Sequence, residues 1–220
     1  MVNVGYVQGV YQNCLAETCR FLNKHGFAVI VSRVGLDKDG QELVVTLAEP
    51  LYFKDWPYRT GAKPNEKLDI LAEITETISL NDGHCVRSTL RLNYFRLDGE
   101  KRIACEAIHY DFDATVEKQH PVCHAQNSNS IVALPEIFPE TYDATPLAKR
   151  HQDIRIPTAF VNFAGLFAKL IADHLPADTV SEFWSTCKSY IDKIPAHASN
   201  DVVKEILAGK SLQSHSWYKW

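Results

Sequence analysis

The chain reads as an α+β fold, an antiparallel meander sheet covered by an N-terminal helix and two to three C-terminal helices. Three observations predict it. Apolar residues recur at helical spacing before residue 25 and again after residue 160. Between residues 68 and 113 they recur at period two instead. That stretch is interrupted at Asn81-Asp82-Gly83 and Asp98-Gly99, which are hairpin-turn sequences.

The elements follow in chain order. Val7, Val10, Tyr11, Leu15, Ala16, Thr18 and Leu22 place a helix over 7–24, with Gly26 as its stop. Residues 27–34 are β-rich and pair through the Lys38-Asp39-Gly40 turn with 42–47 as a first hairpin. An aromatic loop over 50–64, carrying Tyr52, Phe53, Trp56 and Tyr58, caps one edge of the sheet. Leu68, Ile70, Ala72, Ile74, Ile78 and Leu80 line one face of a strand. Val86, Leu90, Leu92 and Tyr94 continue the alternation, and a third strand runs from Ile103 to Asp113. Beyond it, Pro121, Pro135, Pro139 and Pro146 mark a long loop that ends in an edge strand over 152–158. Helices are expected over 160–174, 179–194 and 200–208, and the tail ending Trp217-Tyr218-Lys219-Trp220 is expected to dock. The 220 residues suit one domain, made of residues 1–64, 65–158 and 159–220 in turn.

Composition narrows the function classes. A formal net charge of −4 gives no bulk attraction to nucleic acid or to anionic membrane, and Arg87, Arg91, Arg96, Lys101 and Arg102 are interleaved with acids as on a solvated sheet face. Nucleic acid is thus a partner that charge does not indicate. The six cysteines contain no Cys-x-x-Cys pair, so they read as reduced, mostly buried thiols. No leader or long apolar run appears, which makes the cytoplasm the default and a membrane role unexpected. Phosphate-binding glycine loops and the Gly-x-Ser-x-Gly elbow are both missing.

One segment concentrates groups able to bind a metal ion or move protons, His109-Tyr110-Asp111-Phe112-Asp113 followed by His120, His124 and Gln126. Strand alternation puts His109, Asp111 and Asp113 on one face. A two-residue turn at Asp98-Gly99 pairs Leu92 with Cys105 and Ser88 with His109, and turns His109 and Asp111 toward the core; a three-residue turn with a bulge turns them outward. The first register is preferred. His109, Asp111 and His124 are the candidate catalytic and metal-ligating residues, with Asp113, His120, Gln126 and Arg155 as candidate binding residues. The same segment also reads as an ordinary solvated strand rim or as a partner-binding surface.

The elements His109-Tyr110-Asp111-Phe112-Asp113, His120-Pro121-x-x-His124-x-Gln126 and Arg155-Ile156-Pro157-Thr158 resemble a group of uncharacterised bacterial proteins from mobile-element, toxin–antitoxin or defence loci. The resemblance covers roughly residues 65 to 175 and carries no catalytic assignment. It implies a bacterial accessory or effector protein; the aromatic surface of Trp217–Trp220, of Tyr52 to Tyr58 and of Phe183-Trp184 adds the expectation of a protein partner or a homo-oligomer, with no cofactor. The alternative is a metal-dependent nuclease or phosphodiesterase whose divalent ion is held by the His/Asp cluster.

Overall fold

A computed structural model describes residues 2–30, 32–58, 67–98, 101–114, 123–128, 142–143, 156–157 and 162–196. The expected α+β architecture is present: an N-terminal helix, a large antiparallel sheet and two C-terminal helices. Helix α1, Val4–Lys24, begins one turn earlier than the apolar spacing suggests, because Asn3 caps it by accepting from the Tyr6 amide at 3.1 Å. Gly26, at φ 79°, ends it.

Ten strands form one sheet: β1 Val29–Ile30, β2 Val34–Asp39, β3 Glu42–Leu47, β4 Leu51–Pro57, β5 Lys67–Ser79, β6 Cys85–Asp98, β7 Lys101–Asp113, β8 Cys123–Asn127, β9 Tyr142–Asp143 and β10 Ile156–Pro157. The three long strands β5, β6 and β7 are the predicted meander, and they form its centre. Along its outer edge β5 pairs first with β4 and then with β3. The outer edge of β7 is shared in the same way by β9, which runs parallel to it, and β8. The last described elements are α2, Phe163–His174, and α3, Ala177–Ile191. The region expected to hold a third helix, and the aromatic tail, lie outside the described residues.

Three expectations need correction. The β-rich run 27–34 does not form the first hairpin: β2 is the partner of β3, while β1 pairs with β4. The aromatic stretch after Pro50 is not a loop. It is β4, with Tyr52, Phe53 and Trp56 fully buried, so its aromatics serve as core and not as an edge cap. Residues 123–127 are likewise a strand, β8, where a proline-punctuated loop was expected.

The preferred register is also overturned. Asp98 pairs with Lys101, so the reversal falls one residue later than Asp98-Gly99, and a bulge at Cys105 adds another residue to β7. Leu92 therefore faces Ile108, and His109 faces Arg91. This shift moves His109 and Asp111 from the core side to the opposite face.

The two faces differ in kind. Leu68, Ile70, Ala72, Ile74, Ile78, Leu90, Leu92, Tyr110 and Phe112 pack against the three helices in one core. Phe163 and Phe167 of α2 and Phe183 of α3 fill it, and Phe21 meets Phe183 edge to face at 5.5 Å. The other face carries a small apolar patch, Tyr52, Leu71 and Phe95, amid polar residues. Beside that patch Asp69 is fully buried: it accepts from the Tyr52 hydroxyl at 2.7 Å and from the Asp55 amide at 2.9 Å, and it is paired with Arg102. That set holds Asp55 at φ 54° in the β4 bulge.

Candidate functional site

The site lies on the sheet face turned away from the helices, where pairing builds two cross-strand rows. Glu73, Arg91, His109 and Gln126 form one, from β5 to β8. Thr75, Thr89, Asp111 and His124 form the next. Cross-strand partners project to the same side, so both rows present their side chains together.

Three of the predicted residues converge. His109 Nε2 lies 3.2 Å from Asp111 Oδ2, and His124 Nε2 lies 3.5 Å from the same oxygen. One ligand atom from each of the three falls within 4.8 Å of the others. Their rings meet edge to face at 6.2 Å between centroids, a crossing that aims both Nε2 atoms at the carboxylate without stacking the imidazoles. His124 is almost wholly buried, with 3% of its side chain exposed, whereas His109 and Asp111 keep 23% and 29%. The trio is thus anchored on the β8 side and open to solvent on the β7 side.

The carboxylate is oriented from behind. Thr89 Oγ1, one strand over on β6, donates to Asp111 Oδ1 at 2.9 Å, which leaves Oδ2 turned toward the two imidazoles. An ion held by a carboxylate and two histidines at about 2.0–2.2 Å in tetrahedral geometry has its ligand atoms about 3.3–3.6 Å apart. Of the two distances to Asp111 Oδ2, 3.5 Å falls within that range and 3.2 Å just below it.

The other predicted residues separate. Gln126 stands opposite His109 at the end of its row, beside the trio. Asp113 sits two residues further along β7, opposite Arg87, and is not part of the three-residue group. His120 and Arg155 lie outside the described residues.

Sequence reasoning missed two neighbours, and both depend on register. Thr89 has no motif to mark it; only its pairing with Asp111 gives it a role. Arg91 was grouped with other basic residues as part of one face, and the structure divides that group. Arg102 is buried against Asp69, Arg87 is paired with Glu42, and Tyr94 faces the helices. Arg91 stays exposed beside His109, reaching Glu73 only at 3.8 Å. Glu73 itself is half-buried, and this burial raises its carboxyl above the usual range while Arg91 pulls it down.

A further polar group lies on the helix side. Glu76 occupies a core position of β5 and is 1% exposed. It accepts from the Phe163 amide at the start of α2, at 2.5 Å, and from the Tyr11 hydroxyl of α1. Burial pushes its carboxyl up to about 7, and the two hydrogen bonds pull it back only in part. The signal for it was in the sequence, since Glu76 falls in the same period-two series as Ile74 and Ile78. Among the described residues no helix is long and apolar enough to cross a membrane. No family model, curated protein or solved structure matches the chain.

Proposed function

We propose that this protein binds a divalent transition-metal ion through His109, Asp111 and His124 and uses it to activate water for hydrolysis. The observation that carries the reading is the convergence of two imidazole nitrogens on one carboxylate oxygen at 3.2 and 3.5 Å. Two nitrogens and one oxygen suit zinc or a neighbouring first-row ion, and they fit calcium or magnesium poorly because those prefer all-oxygen shells. Three protein ligands leave a fourth tetrahedral position, and the solvent-facing side of His109 and Asp111 is where water would take it. A zinc ion held by these residues would supply hydroxide near neutral pH by lowering the pKa of its bound water to about 7.

Calorimetric titration of the chelator-treated chain with zinc tests the reading. One ion per chain is expected, with affinity reduced at least about 100-fold in His124→Ala and in Asp111→Asn. Equal affinity in the parent chain and both variants removes the site.

A second reading, an interaction protein of the bacterial accessory kind, draws support from exposed aromatics on the helix side. Tyr6 of α1 is 62% exposed and Trp184 of α3 is 41% exposed. Tyrosine and tryptophan are the residue types that most often anchor interfaces. Light scattering at micromolar concentration, alone and with the neighbouring gene's product, decides it; a strict monomer in both samples counts against it.

A further inference from the structure

We propose that the site takes a phosphate-monoester anion and that Arg91 is the residue that binds it, an inference resting on the metal reading above. Arg91 stands directly opposite His109 in the same row, one strand spacing away, about 4.8 Å. That gap is short against the length of an arginine side chain, so its guanidinium can lie over the solvent-facing side of the trio. Its side chain is 55% exposed, and among the described residues it makes one ion pair, a long one of 3.8 Å to Glu73. The comparison with Arg87 is direct. Arg87 projects from the same face of β6, four residues earlier, but is closely paired with Glu42 on the far side from the trio. Among the described residues Arg91 is therefore the cation beside the trio that is placed to serve a ligand.

The ligand class follows from the two groups that would share it. A metal ion takes one oxygen of an anion, and a guanidinium takes two more through its planar fork. A tetrahedral phosphate monoester has three terminal oxygens and serves both at once, whereas a diester has only two. A carboxylate that gives one oxygen to the ion has a single oxygen left, so it cannot satisfy the fork in the same pose.

The test uses the zinc-loaded full chain with inorganic phosphate as probe, followed by calorimetry. Arg91→Gln is expected to weaken phosphate binding on the order of 10- to 100-fold and leave zinc affinity unchanged, with Arg91→Lys in between. A chain that binds no zinc removes the metal reading and this inference with it. A chain that binds zinc, but holds phosphate equally well with and without Arg91, overturns this inference alone. Acetate binding as tightly as phosphate overturns the assignment of class. Competition with phosphate is then expected from p-nitrophenyl phosphate and not from bis(p-nitrophenyl) phosphate; equal competition by both, or by neither, overturns the monoester assignment.

Discussion

Thr89 shows how a residue with no chemistry of its own sets a site's geometry. Its hydroxyl occupies Asp111 Oδ1, so the carboxylate presents a single oxygen to the histidines. Groups that hold a ligand in this way typically change metal affinity 10- to 100-fold when removed. Thr89→Val keeps the shape and loses the donor, so its zinc affinity should fall by about tenfold or more, measured by competition against a chromophoric chelator. Thr89→Ser should restore most of it. If valine and threonine gave the same affinity, the hydrogen bond would be incidental. The identities of His109, Asp111 and His124 were legible because imidazoles and carboxylates stand out in sequence. Their convergence was not, because it required β8 to be a strand that pairs His124 with Asp111.

At the scale of elements, legibility followed the strength of local signals. The meander was plain because β5, β6 and β7 are long, alternate over most of their length and turn at glycine-bearing sites. The register was not, because the Cys105 bulge adds a residue with no marker in the sequence, and a shift of one changes the face of everything beyond it. The aromatic strand β4 was misread since its pattern is a buried run, broken by the Lys54-Asp55 bulge, where periodicity carries no information. Glycine positions give the element-scale prediction. Gly83, in the β5–β6 reversal, has φ 78°, and a Cβ there would come 3.2 Å from Val2 Cγ2. Gly9 lies mid-helix in α1 with nothing within 4 Å of the same added atom. Gly83→Ala should therefore cost about 1–2 kcal/mol, and Gly9→Ala should gain up to about 1 kcal/mol. Urea unfolding of the two variants checks the opposite signs. A loss at Gly9 would show that its bare backbone is needed by something seated in the groove beside Tyr6 and Tyr190.

Over the whole molecule, Glu76 joins all the layers, since it sits on β5 and is held by Tyr11 of α1 and by the first amide of α2. No cation faces it. The groups that influence it are the Tyr11 hydroxyl and the Phe163 amide, whose hydrogen bonds lower it, while its own charge adds to burial in raising Tyr11 and the thiols of Cys14 and Cys85. Its carboxyl is raised from 4.5 to about 7 on folding, so between those values the native chain holds a proton that the unfolded chain has released. The contribution is fully present below about 4.5 and is lost as pH rises through about 7, a span worth about 3 kcal/mol. Stability should therefore decline with rising pH across this window. His174 opposes it, because burial lowers its imidazole and the unfolded chain takes up that proton first, which makes stability rise with pH through the histidine range. The two slopes partly cancel in the parent protein, so the raw profile is not the measurement to make. Glu76→Gln keeps the shape, can accept from the Phe163 amide and can donate to the Tyr11 oxygen, but it does not titrate. The difference in unfolding free energy between Glu76→Gln and the parent should then grow by about 3 kcal/mol in favour of glutamine from pH 5 to pH 8. Parallel profiles for the two proteins would mean that the Glu76 carboxyl titrates alike in the folded and unfolded chains, and that its burial beneath both helices costs nothing when it is charged.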